Sequence, residues 1–189
     1  TVIPLREDFS LNAEDYCGLH QNIVIANPNA PTGMTIPVSD IETIVQTNPD
    51  HVVLIDEAYV DFGAESCRGL IGQYENLLVC QTFSKSRSMA GGRLGFALGS
   101  AGLIADLNKI KYSTNPYNIN RLTLVAAEAA MDSDAYYREN CQKIQDNRAY
   151  TVEELAKLGF TTLPSLANFI FTRCPGMDGG ALYRELKRR

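Results

Sequence analysis

Val52-Val53-Leu54-Ile55 runs without a polar break into Asp56-Glu57-Ala58-Tyr59. Val52, Val53 and Ile55 are β-branched, which suits a pleated strand, and the absence of alternation means that both faces are covered, as in a parallel sheet. The same kind of run occurs at Ile23 to Ala26, Leu77 to Cys80 and Leu94 to Leu98. All four are expected to be buried parallel strands, with Val2 to Leu5 as a further strand near an edge. Between Ala26 and Val52, residues Ser39 to Gln46 have an amphipathic helical pattern. Ser39 or Asp40 is the expected cap, and Glu42 falls in the first turn. Strands alternating with helical segments indicate an α/β domain with a mostly parallel sheet.

The second half of the chain reads differently. Leu122 to Met131 is alanine-rich and helical. Asp134 to Leu158 is a long charged helical stretch with Tyr137, Ile144, Leu155 and Leu158 among polar residues, and Gly159 is placed to end it. A short strand from Asn168 to Thr172 and a last helix from about Gly180 follow. We expect a large domain over residues 1–135, and the linking helix with the start of a small α+β C-terminal domain over residues 136–189.

Hydrophobic residues make up 45% of the 189 residues, charged residues 21%, and the formal net charge is −5. This is an ordinary globular composition, and its mild acidity provides no electrostatic footprint for nucleic acid or an anionic membrane. No apolar stretch approaches the length of a membrane span. The cysteines at 17, 67, 80, 141 and 174 include no C-x-x-C pair and are odd in number. Neither a disulfide framework nor a zinc site is expected, and a reducing, cytoplasmic setting fits best. Cys80, in an apolar run, is expected to be a small buried side chain. The opening on Thr1 rather than Met, and the stop at Arg189 inside an amphipathic pattern, lead us to expect a piece of a longer chain.

In open α/β sheets ligands bind beyond the carboxyl ends of the strands. After Ala26 comes Asn27-Pro28-Asn29-Ala30-Pro31-Thr32-Gly33, which alone would be a rigid turn. After Ile55 comes Asp56, either a helix cap or a functional carboxylate, with Tyr59 three residues on. After Cys80 comes Gln81-Thr82-Phe83-Ser84-Lys85, where hydroxyls flank a lysine, with Arg93 beyond it. Any one of these loops has a plain structural explanation, but three in series on one sheet edge suit one cofactor. Pyridoxal 5′-phosphate needs an amine for its aldehyde, a carboxylate for its ring nitrogen, a donor for its phenolic oxygen, and hydroxyl and guanidinium donors for its phosphate. Lys85, Asp56, Tyr59, then Thr82, Ser84 and Arg93 are those groups. The glycines of Gly91-Gly92-Arg93-Leu94-Gly95 form no nucleotide fingerprint.

Asn-Pro-Asn-Ala-Pro-Thr-Gly, Asp-Glu-Ala-Tyr-Val-Asp-Phe and Thr-Phe-Ser-Lys-Ser-Arg-Ser-Met-Ala-Gly-Gly-Arg together resemble the fold-type-I aminotransferases, and most of all the histidinol-phosphate branch. The resemblance runs from the first strand to Asn168-Phe169. It implies a three-layer α/β/α large domain, a cytoplasmic homodimer, and amino transfer between histidinol phosphate and 2-oxoglutarate or glutamate in histidine biosynthesis. A threonine-phosphate decarboxylase or an aromatic aminotransferase on the same scaffold is the alternative, and a folded but inactive fragment is a third possibility. Lys85 would be the catalytic amine. A helix beginning near Ser86 would help Thr82, Ser84 and Arg93 to hold phosphate. Asn168 would face the site from the second domain or serve its own strand. Many relatives carry Asn where this chain has Ala30, so the phenolic contact falls to Tyr59 and Asn29. Relatives are also longer at both ends. Their phosphate loop, stacking aromatic and partner-reaching tyrosine precede the region resembling Thr1, and their carboxylate-gripping arginine follows the region resembling Arg189.

Overall fold

The structure, a computed structural model, describes residues 1–189. Strands β1 (Ile23–Ala26), β2 (Val53–Asp56), β3 (Leu77–Thr82) and β4 (Gly95–Gly99) form one sheet in the order β1-β2-β3-β4. The first three are parallel, with Ala26 level with Asp56 and Asp56 level with Cys80. Their carboxyl ends therefore present the three candidate loops side by side. β4 is antiparallel to β3, which corrects the expectation of four parallel strands. Residues 83–94 join β3 to β4 without an α-helix and fold back through the Phe83 N–H to Leu94 carbonyl bond, so the chain never crosses to the other end of β3 as a parallel return requires. Val2 to Leu5 forms no strand. Pro4 has no N–H to contribute to a ladder, and Val2 stays exposed.

Helix α1 (Val38–Thr47) covers one face of the sheet. Ile41, Ile44 and Val45, at helical spacing, are fully buried against Ile23, Ile25, Val53, Ile55, Leu77 and Val79. Its N-cap is Pro37, with no side-chain cap bond, so neither Ser39 nor Asp40 caps it. Asp40 instead sits in the first turn, where a negative charge favours the helix dipole. The other face is bare at Val24, which is 70% exposed.

Four further helices follow β4. The first, α2 (Ala101–Thr114), was absent from the sequence reading. Ser100 caps it by accepting from the Leu103 N–H, but it buries no residue fully. α3 (Arg121–Asp132) is capped by Asn120 and packs Ala127 and Ala130 on Phe83. α4 (Asp134–Lys157) leads to Gly159, whose φ of +85° ends it. A small antiparallel pair, β5 (Thr161–Thr162) and β6 (Thr172–Arg173), and helix α5 (Gly179–Arg188) complete the chain. The strand expected over Asn168 to Thr172 forms only at its end. The Ser165 hydroxyl donates to the Phe169 carbonyl (2.6 Å) and accepts from the Ala167 N–H (3.1 Å), and such local bonds compete with a ladder. No helix is long and apolar enough to cross a membrane.

Candidate active site at the strand ends

The loop after β1 is fixed by amide side chains. Asn27 is buried; its side chain donates to the Ile36 carbonyl (3.1 Å) and accepts from the Ile36 N–H (3.0 Å). Its own N–H donates to the carbonyl of Asp56 at 2.9 Å, tying this loop to the end of β2. Asn29 is half-buried, and its side-chain oxygen accepts from the Thr32 hydroxyl at 2.9 Å. Asn29 thus braces the turn, with its amide N–H2 making no bond to protein. Gly33 has φ +76°, and a Cβ there would lie 2.1 Å from Ser165 Oγ. The Gly33 carbonyl also accepts from the Leu166 N–H at 2.8 Å. Only glycine allows the 163–167 segment to approach so closely.

At the end of β2, successive side chains leave on opposite faces. Asp56 is exposed, and one carboxylate oxygen accepts from the Ala58 N–H at 3.0 Å. Glu57 turns inward and is 1% exposed. Tyr59 is half-buried, with the Phe169 ring edge-on at 5.0 Å between centroids. Phe169 is a site neighbour that the sequence reading passed over in favour of Asn168. Asn168 is exposed and makes no side-chain hydrogen bond. Burial first, and then the Asp56 charge, push the Cys80 thiol up from its ordinary value. Cys80 is half-buried rather than fully buried.

The segment after β3 is a compact turn with no helix at Ser86, contrary to expectation. The Phe83 N–H donates to the Leu94 carbonyl (3.1 Å) and the Met89 N–H to the Phe83 carbonyl (2.9 Å), so these groups are taken by loop closure. The Thr82 hydroxyl donates to the Leu94 carbonyl (3.2 Å) and accepts from the Ser84 N–H (3.1 Å). Its donor is committed to the loop. Ser84 is half-buried, Lys85 is exposed, and neither side chain has a hydrogen-bond partner in the protein. Lys85 Nζ lies 5.0 Å from the centroid of the Tyr59 ring. Arg93 is in the left-handed region (φ 53°), which turns its side chain out of the loop, and one guanidinium nitrogen donates to the Ala90 carbonyl at 3.2 Å. The rest of that guanidinium is free.

Residues absent from the sequence reading hold this turn. The buried Ser86 hydroxyl donates to the Asp61 carboxylate. Arg87 is paired with Asp134 at 2.7 Å and lies over the Tyr137 ring, clamping the lysine turn to α4. Hydrogen bonds from Arg138, then Arg87, hold the Asp134 carboxyl below the usual aspartate range. Arg148 donates to the carbonyls of Phe62 (3.0 Å) and Ala167 (2.5 Å). These contacts join residues far apart in sequence, and only the isolated positive charges in a helical pattern hinted at them. A cavity of about 610 Å³ lies between β3, β4 and α4. Of the candidate residues it touches only Thr82; Lys85, Asp56, Tyr59 and Arg93 lie outside its walls. The candidate amine, carboxylate and phenol of Lys85, Asp56 and Tyr59 lie instead at the strand ends, with Lys85 Nζ 5.0 Å from the Tyr59 ring centroid.

The family described as aminotransferase class I and II matches residues 1–187. A histidinol-phosphate aminotransferase 2 of Dechloromonas aromatica (strain RCB) is 50% identical over 189 residues, which is 100% of this chain and 53% of that protein. A histidinol-phosphate aminotransferase of Acinetobacter baumannii (strain AYE) is 49% identical over 187 residues, 99% of this chain and 52% of that one. The chain thus spans about half the length of the curated relatives it matches. Among solved structures, the histidinol-phosphate aminotransferase of Clostridium acetobutylicum superposes with a TM-score of 0.85 at 28% identity, covering 97% of this chain and 57% of that one. That of Sinorhizobium meliloti, in complex with pyridoxal-5′-phosphate, gives 0.82 at 26% identity, with coverages of 100% and 52%. The chain belongs to the aminotransferase class I and II family.

Proposed function

We propose that this chain carries the cofactor-binding part of a pyridoxal-phosphate-dependent aminotransferase acting on histidinol phosphate with 2-oxoglutarate and glutamate. The observation that carries the reading is the placement of the Lys85 amine over the Tyr59 ring, with Asp56 ending the strand beside β3. The donor set fits the cofactor: Lys85, Ser84 and most of the Arg93 guanidinium have no protein partner and remain available to an aldehyde and a phosphate. Half-identical relatives named for histidinol phosphate support the substrate.

When bound, the cofactor supplies an aldehyde and an electron-withdrawing ring. Lys85 would hold the cofactor's aldehyde end, and its Nζ would serve as the base that takes up and returns a substrate proton. Asp56 would pair with the ring nitrogen. The Tyr59 hydroxyl would donate to the phenolic oxygen, with the free Asn29 amide as a second donor in place of the residue missing at Ala30. Arg93 and Ser84 would hold the phosphate, for which a guanidinium fork is suited. Thr82 shapes the loop and reaches phosphate only by releasing the Leu94 carbonyl. Asn168 would meet the substrate from the second unit. We divide the chain at 135/136, and read the native protein as a cytoplasmic homodimer, which suits the exposed apolar side chains of Ile110, Leu122 and Val125.

The test is borohydride reduction after mixing with pyridoxal phosphate. The label is expected on Lys85 and absent from Lys85→Ala. Label on another lysine would refute the assignment. Amino transfer from glutamate to the keto partner of histidinol phosphate tests the substrate.

A further inference from the structure

Glu57 has no part in the chemistry above, yet it is 1% exposed and bonded through both carboxylate oxygens. One oxygen accepts from the Cys67 N–H at 2.7 Å. The other accepts from the Ser66 hydroxyl at 2.6 Å and from the Gln81 side-chain amide at 2.8 Å. No arginine, lysine or histidine pairs with it. A buried carboxylate without a cation is tolerated only when its lone pairs are satisfied, and here three neutral donors satisfy them.

Its position shows what this arrangement accomplishes. The ladder between β2 and β3 ends at the pair Asp56 and Cys80, with a last bond from the Glu57 N–H to the Cys80 carbonyl (2.8 Å). Past that point the two strand ends diverge into the site loops. The Glu57–Gln81 bond is the link that continues the connection one residue further. On one side of it stand Asp56 and Tyr59. On the other stand Thr82 and, four residues past Gln81, Lys85. The Glu57 carbonyl also accepts from the Val60 N–H at 3.1 Å, so the same residue shapes the turn that carries Tyr59.

We infer that Glu57 is a positioning residue, whose bond to Gln81 holds the Asp56–Tyr59 turn in register with the Lys85 turn. This rests on the reading of Lys85 as the cofactor amine. An acceptor-only group suits a pocket of three donors. A glutamine could still serve, because the Ser66 hydroxyl can rotate and the Gln81 amide can flip to present its oxygen.

Three variants separate positioning from plain stability. Gln81→Met removes the strand-to-strand link at nearly constant length, and Gln81→Asn, too short to reach, replaces it should the methionine variant fail to fold. Ser66→Ala removes a bond to the same carboxylate oxygen while leaving the link between the strands in place. Glu57→Gln is the conservative replacement. The readouts are affinity for pyridoxal phosphate, the pH midpoint of the bound cofactor's absorption band, melting temperature, and borohydride labelling of Lys85. The Gln81 variant is expected to bind the cofactor on the order of tenfold more weakly, as for a lost bond to a charged group, and to shift the pH midpoint. Ser66→Ala should lower melting while leaving affinity and midpoint near native, and Glu57→Gln should stay close to native in both. A Gln81 variant with native affinity and midpoint, or a Ser66 variant that disturbs both equally, overturns the inference. Failure of the native protein to label at Lys85 sinks the functional reading instead, whereas labelling that persists with no response at Gln81 sinks the positioning role alone.

Discussion

Gly33→Ala is expected to be among the most damaging small substitutions in this chain. The added methyl meets two penalties. At φ +76° a Cβ is strained, which costs roughly 1–2 kcal/mol. It would also lie 2.1 Å from Ser165 Oγ and 2.6 Å from Ser165 Cβ, so the serine must move. That serine holds the Phe169 carbonyl and the Ala167 N–H, and losing both bonds costs about 1 kcal/mol each. The total is roughly 3–4 kcal/mol, or a melting shift on the order of 10 °C for a chain of this size. The assay is urea denaturation of the two single variants and of the pair with Ser165→Gly. In the Ser165→Gly background the side-chain clash and the two hydrogen bonds are already gone, leaving a 3.1 Å approach to the Cα of residue 165, so Gly33→Ala should cost little beyond its backbone strain. The cycle should therefore show a coupling of about 2 kcal/mol. Equal costs in both backgrounds, or a cost below about 1 kcal/mol alone, would refute the argument that steric approach makes this glycine necessary.

Two other outcomes follow from the site. Asp56→Asn keeps an acceptor for the Ala58 N–H, so melting should be unchanged while kcat falls roughly a hundredfold, about 2.7 kcal/mol; activity within a few-fold of native would make Asp56 a structural cap only. Asp134 should confer a pH dependence. Its folded-state pKa lies below the ordinary 3.8, so its contribution is present above that value and is lost as the pH falls through the folded value. Asp134→Asn should lower the urea midpoint at neutral pH and converge with the native protein in acid; a constant difference at both would contradict the assignment.

Strands β1 to β3 were legible because each is an unbroken aliphatic run bounded by polar loops, although the expected cover on both faces is missing at Val24, and Gly159 was legible because a positive φ selects its residue type. The direction of β4 was not visible in its own residues. It lies in the connection, where a bond between Phe83 and Leu94 closes a loop that reverses the chain. α2 was overlooked because no position in it is fully buried, leaving only the Ser100 cap as a signal. At the site, Lys85, Asp56 and Tyr59 each follow a strand, so sheet topology alone gathers them. The service of Thr82 to its own loop, the inward turn of Glu57 and the contact of Phe169 with Tyr59 depend on partners that no local pattern encodes. Asn168 and Phe169 are adjacent, and choosing between them required the local turn made by Ser165.

Arg148 has a consequence for how the molecule comes apart. One nitrogen of its guanidinium is shared by two carbonyls, one 86 residues upstream and the other 19 downstream. Burial lowers its pKa, yet no carboxylate accompanies it; its hydrogen-bond partners in the protein are backbone carbonyls. If the 163–167 segment peeled away, one of those dipoles would leave with it, and a partly sheltered charge would be left underbonded. Local opening of the 163–167 segment is therefore penalised at a point next to Phe62, far upstream. The long helix works as a lock that makes the loosening of these two distant segments a shared event.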